Sequence, residues 1–297
     1  MSAPSGPIRA KAHVLRELRA LLHDEGFTEV ITPVARRADL GSGRRVPAGL
    51  HDGRYLRAMI GPALRVNVST GLPRVYEIGP CFRPEFPDAL HAAEFTMLDL
   101  YAAHLGFEDL IGLAWRLVGP HLPSYTPAQL SIAGHVRDEF GIDLRTEPVS
   151  GLHPRMAARI GADTGEPFRD VLGRYIALEL EAGTAGRAVF LTDYPTGGDE
   201  PCARLAPGTT AVLERFELIV DGIELVHGYT DETDQHAFTE RAEAVGLYDD
   251  EQHLAQEAVE AGSVPADTAG LGIGIERLCA ASAGLRDITP FLQSPHF

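Results

Sequence analysis

Arginine, histidine, carboxylates and flat rings crowd into one stretch of the chain, Arg74–Tyr101, with the sequence RVYEIGPCFRPEFPDALHAAEFTMLDLY. It reads as two strand-like runs, Arg74–Gly79 and Glu94–Tyr101, joined by a long turn that contains Pro84 and Pro87. Side chains alternate along a strand, so Arg83 and Glu85 share one face, and Phe95, Met97, Asp99 and Tyr101 share another. An arginine can neutralise phosphate and a flat ring can stack on a base; with His91 in the turn, the combination points to a nucleotide site. A hairpin carrying an ordinary surface pair of Arg83 and Glu85 accounts for these residues equally well. A second concentration lies in RFELIVDGIELVHGYTDETD, Arg215–Asp234, where Glu217 and Glu224 stand on either side of a turn at Asp221-Gly222. Antiparallel pairing could bring the two acids together, or they are two exposed acids on a hairpin. A third is GLGIGIERL, Gly270–Leu278, a glycine-rich strand that runs into a helix bearing Arg277. It is not a dinucleotide fingerprint, because Arg277 occupies the third glycine position.

These residues need a scaffold. Val14, Leu15, Leu18, Leu21 and Leu22 have the spacing of one helix face, which predicts a helix over Arg9–Asp24 ended by Gly26. Phe27–Thr32 then alternates like a strand until Pro33 stops it. Residues 35–53, rich in Arg, Gly and Pro, read as a loop, and residues 104–188 as mostly helical, with Phe168, Val171, Leu172 and Tyr175 on one face. Strands return at Ala188–Leu191, Arg215–Val220 and Ile223–Val226; residues 234–260 are acidic and helical; Gly270–Gly274 is a strand leading to a helix from Ile275. The expectation is one mixed α/β domain, an antiparallel sheet flanked by helices, over residues 9–297 after a flexible end at 1–8, with a helical insertion around 104–188.

The chain has 297 residues, of which 44% are hydrophobic and 23% charged, ordinary for a folded domain. No long uncharged run resembles a membrane span, and no basic stretch followed by an apolar core marks a secretory signal. Three scattered cysteines supply neither a disulfide framework nor a zinc site. A reduced, cytoplasmic protein is expected. The net charge of -16 counts against an extended RNA footprint, since phosphate neutralisation needs a basic surface. All but one of the 26 basic residues are arginine; the exception is Lys11.

Taken together the segments resemble class II aminoacyl-tRNA synthetases, particularly the lysyl, aspartyl and pyrrolysyl group. Phe82-Arg83-Pro84-Glu85, His91 and Glu94-Phe95-Thr96-Met97 resemble motif 2 of that family. GFTEVITP, Gly26–Pro33, resembles motif 1, its dimer-interface element, and GLGIGIERL resembles motif 3. Arg215–Asp234 resembles the lysyl-type segment that holds metal and amino acid, and RAVFLTDYP, Arg187–Pro195, the strand before it. With motif 1 near the start, the chain is expected to lack the anticodon-binding domain. In that respect it resembles the truncated paralog that attaches (R)-β-lysine to elongation factor P.

The resemblance implies the class II fold, a homodimer, ATP with Mg²⁺, and activation of an amino acid as its adenylate. It assigns Arg83 to the α-phosphate and substrate carboxylate, Glu85 to the adenine amino group, Phe95 and Arg277 to the two faces of adenine, and His91 to the outer phosphates. Glu217 and Glu224 would hold Mg²⁺ against triphosphate oxygens. Asp99, Tyr101 and Asp231 take the positions that recognise the lysine ammonium, the two acids each a methylene shorter than the family's glutamates. Tyr229 stands in place of a phenylalanine and His227 in place of an asparagine; Ala63 falls where the lysyl branch has a glutamate for the α-amino group. A cationic β-amino acid or modified lysine fits these changes at least as well as L-lysine. The acceptor expected is a protein, a carrier protein or a small molecule, with no membrane partner. A minimal synthetase charging tRNA and an inactive regulatory paralog are the alternatives.

Overall fold

The computed structural model describes residues 5–37, 50–51, 53–83, 88–198, 202–245 and 264–292. In chain order the first elements are α1 (Ser5–Asp24), β1 (Thr28–Glu29), β2 (Ala35–Arg37), β3 (Arg54–Leu56), α2 (Gly61–Ser69), β4 (Arg74–Phe82), β5 (Glu94–Ala102) and α3 (Phe107–Val118). There follow β6 (Pro127–Ser131), α4 (Ile132–Phe140), α5 (Leu152–Ile160), α6 (Phe168–Tyr175), β7 (Ala188–Pro195), β8 (Val212–Val220), β9 (Ile223–Thr230) and α7 (Gln235–Ala244). Last come β10 (Ala269–Gly274) and a helix over Ile275–Ser282, here α8. The architecture is mixed α/β, its sheet mostly antiparallel and flanked by helices, as expected for the class. The chain divides into two compact units, Met1–Ser124 with Asp249–Phe297, and Tyr125–Tyr248.

In the first unit the strand order is β1-β4-β5-β10. β4 and β5 form a long antiparallel hairpin, β10 runs antiparallel to β5, and β1 pairs parallel with β4. Ile60, just before α2, and Leu64 and Val68 of α2 pack with Val75, Cys81, Met97 and Tyr101 of the hairpin. α1 buries Val14, Leu18 and Leu22, the stripe its spacing predicts, but starts at Ser5, so Ser5–Ile8 belong to the helix rather than to a frayed end. β1 is only two residues long: beyond it Thr32 turns inward, its N–H and Oγ1 donating to Glu77 Oε2 at 2.9 and 2.7 Å. Part of the expected loop is also ordered, Ala35–Arg37 pairing with Arg54–Leu56 as a small ribbon.

In the second unit the order is β9-β8-β7-β6, with β6 parallel to β7 and the other pairs antiparallel. Its core joins Ile132, Val136, Met156, Val171, Leu172 and Tyr175 of α4, α5 and α6 to Val189, Leu191 and Val212. The stretch read as helical contains β6, and α6 runs on into a π-helical turn at Ile176–Glu181. Of the acidic run expected to be helical, α7 is described and 246–263 lie outside the described residues.

Candidate active site

The β4–β5 register sets Glu77 opposite Asp99 and Cys81 opposite Phe95. On the other side of β5, Met97, Asp99 and Tyr101 face Gly274, Gly272 and Gly270 of β10. Cross-strand partners point to the same face, so the alternate glycines of β10 leave that face bare beside Asp99 and Tyr101. The fit is closest at Gly270, where a Cβ would lie 2.7 Å from the Tyr101 ring and 2.9 Å from the Leu100 carbonyl oxygen. A Cβ on Gly61 would meet the same edge of the ring at 3.3 Å, so two glycines give the Tyr101 ring its room.

Arg83 follows β4, its N–H donating to Ala93 O at 2.9 Å, and its guanidinium carbon lies 5.2 Å from the centroid of the Phe95 ring. That is stacking distance for a cation over an aromatic face. Glu85 lies outside the described residues. His91 is tied to Arg277, 186 residues on, whose Nη2 is 3.0 Å from His91 Nε2 and whose Nε donates to Leu90 O at 3.3 Å. A guanidinium only donates, so Nε2 is the acceptor and the ring proton sits on Nδ1. Nδ1 in turn donates to Asp88, at 2.8 and 2.9 Å from its two oxygens. The Leu90 N–H bond, followed by that from His91, holds the Asp88 carboxyl below its ordinary range. Asp88 was not among the residues the sequence singled out, although its place three before His91 in a tight turn was a signal.

Asp99 is buried, and its Oδ2 accepts from Ile60 N at 3.1 Å and Gly61 N at 3.0 Å. These N–H groups open α2, where a helix leaves its donors without internal partners and favours negative charge. The acid expected to meet a substrate ammonium therefore also docks α2 on β5.

In the second unit, Asp221 (φ 51°) and Gly222 (φ 76°) form the two-residue turn between β8 and β9, both left-handed as a type I′ hairpin requires. The turn sets Ile219 opposite Glu224, which puts Glu224 on the face of Glu217. A bulge then shifts the register by one, so that Glu217 faces His227 and Arg215 faces Tyr229. Glu217, Glu224, His227 and Tyr229 share one partly buried face, with His227 Nδ1 3.8 Å from Glu224 Oε1. Arg215 pairs with Glu217 and rests over Tyr194, 4.3 Å from the ring centroid. Burial, then the Glu217 charge, pushes the Tyr194 hydroxyl well above its ordinary value, with Arg215 opposing. Asp231, just past β9, is fully buried and its backbone bridges to Ala203.

Two carboxylates on one face suit a hard cation that keeps water or phosphate oxygens as its remaining ligands, the habit of Mg²⁺. Among the described residues no group of three or more His, Cys, Asp or Glu side chains could hold a metal by itself. No described helix is long and apolar enough to cross a membrane.

The family model described as "tRNA synthetases class II (D, K and N)" matches residues 4–296. Among curated proteins, the lysine–tRNA ligase of Chloroflexus aurantiacus is 28% identical over 97% of this chain and 64% of its own length. That of Saccharolobus solfataricus is 27% identical, over 94% of this chain and 62% of the relative. That of Kineococcus radiotolerans is 31% identical, over 94% and 61%. The chain thus spans less than two thirds of the length of these relatives. It belongs to the class II tRNA synthetases of the D, K and N group, a family of ligases.

Proposed function

We propose that this chain uses ATP to activate a cationic, lysine-like amino acid, a β-amino or otherwise modified one included, and passes the acyl group to a protein, carrier-protein or small-molecule acceptor. The observation that carries the reading is that Arg277, from α8, reaches His91 in the turn of the same β4–β5 hairpin on which Arg83 stacks over Phe95. The reaction breaks the bond between the α- and β-phosphates as a carboxylate oxygen of the amino acid attacks the α-phosphorus, and pyrophosphate leaves. An acceptor nucleophile then attacks the acyl carbon and AMP leaves. This chemistry needs positioning and charge neutralisation more than an enzyme nucleophile.

In this reading Arg83 neutralises the α-phosphate and orients the substrate carboxylate, Glu85 accepts from the adenine amino group, Phe95 and Arg277 flank the adenine ring, and His91 touches the outer phosphates. Asp231, Asp99 and Tyr101 receive the ammonium, and His227 and Tyr229 shape the amino-acid end. Glu217 and Glu224 hold Mg²⁺, which when bound neutralises phosphate charge. The enzyme works in the cytoplasm as a homodimer through α1 and β1. The changes at Ala63, His227 and the two shortened acids favour a substrate other than L-lysine, and the net charge of -16 favours an acceptor other than tRNA. A protein lysine is one such acceptor.

The test is amino-acid-dependent ATP–pyrophosphate exchange with L-lysine, both β-lysine enantiomers, ornithine, arginine and hydroxylated lysines, with acidic amino acids as controls. Exchange with a cationic member supports activation and names the substrate. Exchange with an acidic control alone overturns the assignment of Asp99 and Asp231, and failure to bind ATP overturns the enzyme reading.

A further inference from the structure

Lys11 occupies a place that amphipathic periodicity reserves for an apolar residue. It shares the buried face of α1 with Val14, Leu18 and Leu22, and it is 5% exposed. Its ammonium is saturated. Nζ lies 2.7 Å from Glu276 Oε1, 3.2 Å from Thr96 Oγ1 and 3.3 Å from Phe291 O, which uses all three of its donors. Glu276 is buried too, and its two oxygens accept from Thr96 N at 3.1 and 3.0 Å. One ammonium and one carboxylate therefore tie α1, β5, the first turn of α8 and the turn at Thr289–Phe291 to each other.

A buried ion pair is weak grounds for stability, because desolvation offsets much of the Coulomb attraction and a well-packed apolar pair often does as well. What it does provide is geometric specificity. The two residues it clamps are the chain neighbours of two nucleotide-site residues: Thr96 follows Phe95, and Glu276 precedes Arg277. Successive helix residues are about 100° apart around the axis, so the direction in which Glu276 points fixes that of Arg277. Successive strand residues point to opposite faces, so holding Thr96 from behind fixes the face that Phe95 presents.

We propose that Lys11 is a positioning residue for the nucleotide site, acting through Glu276 and Thr96 to set Arg277 against Phe95 and His91. The proposal rests on the reading of Arg277 and Phe95 as ATP-binding residues. It predicts that Lys11 acts on ATP, without acting on the amino acid. The experiment compares the wild type, Lys11→Met, Lys11→Arg and Glu276→Gln by calorimetric ATP binding, pyrophosphate exchange and thermal unfolding. A misplacement of the order of 1 Å costs up to about a hundredfold, so Lys11→Met should raise KM for ATP about ten- to a hundredfold and leave KM for the amino acid within about twofold. Lys11→Arg, which keeps the charge and the donors, should restore most of the loss. If Lys11→Met does not fold, Glu276→Gln tests the same clamp, since it keeps an oxygen for the Thr96 N–H and removes only the charge; the same KM split is expected. Unchanged ATP binding and kinetics in folded Lys11→Met or Glu276→Gln, whatever the change in melting temperature, would overturn the proposal and leave the activation reading intact. A wild type that binds no ATP would overturn both.

Discussion

Removing the Glu77 carboxylate should be among the costliest single changes in the first unit, and the structure says by how much. Arg57 is fully buried, and its Nη1 lies 2.7 Å from Glu77 Oε1. The other Glu77 oxygen accepts from Thr32 N and Thr32 Oγ1 at 2.9 and 2.7 Å. In Glu77→Ala the partners left to the guanidinium among the described residues are the Pro80 carbonyl at 2.9 Å and the Thr32 oxygens at 3.3 and 3.0 Å, all neutral. Three hydrogen bonds to a charged group at about 1.5–3 kcal/mol each set an upper range. Water entering the vacated volume lowers it, and stranding one member of a buried pair costs about 3–5 kcal/mol. Glu77→Gln, which keeps one carbonyl oxygen, should cost about 2 kcal/mol by the same reasoning. The double variant Arg57→Met, Glu77→Leu removes both charges and should regain most of the loss, because an apolar replacement of a buried pair is often neutral. Urea unfolding of the wild type, Arg57→Met, Glu77→Leu and the double variant, followed by circular dichroism, gives the cycle, with Glu77→Ala and Glu77→Gln measured beside it. A loss below about 1 kcal/mol in Glu77→Ala, or a double variant no better than the sum of its singles, would refute the view that Glu77 exists to carry Arg57.

Gly270→Ala places a methyl group 2.7 Å from the Tyr101 ring and 2.9 Å from a backbone oxygen, so it should cost about 1–3 kcal/mol and raise KM for the amino acid as Tyr101 is displaced; thermal unfolding and exchange kinetics read both. Burial, then the charge and hydrogen bond of Glu29, raise Tyr76 from 10.0 to about 12, so stability from its neutral hydroxyl is complete below pH 10 and is lost as pH rises through about 12. Ultraviolet titration should find this tyrosinate late, and Glu29→Gln should bring it down. The depressed Asp88 carboxyl has the opposite sign: the order it gives the His91 turn is complete above the ordinary carboxylate range and is lost as pH falls through its lower folded value. Ring nitrogen shifts of His91 should show the Nδ1–H tautomer at neutral pH and lose that preference in Asp88→Ala.

The β4–β5 hairpin and the strand-to-helix passage at Arg277 were legible because each depends on local signals: strict alternation, a proline-rich turn, glycines at every second position. Contacts between distant parts of the chain were not. Nothing near His91 announces an arginine 186 residues later, and Lys11 gives no hint that its partner lies 265 residues away. What could be read was the anomaly of a charge on an apolar helix face. The Asp221-Gly222 turn correctly puts Glu217 and Glu224 on one side, but strict alternation beyond it would send His227 to the other. The bulge reverses that, and no residue type in the sequence marks it. β1 stops early for a comparable reason, since Thr32 gives up strand pairing to reach a buried carboxylate.

Acyl adenylates are indiscriminate acylating agents, and an enzyme that lets one escape risks modifying its own surface amines. The chain has one lysine, and that lysine is sealed inside an ion pair with 5% of its surface in contact with solvent. The arginines that make up the rest of its positive charge stay protonated and are poor nucleophiles. Under the proposed activation, this chain presents no lysine amine to the adenylate, so a lysine amine that captures the acyl group arrives on another molecule. The same feature makes Lys11 a reporter that reacts with amine-directed labels when α1 comes away from β5 and α8.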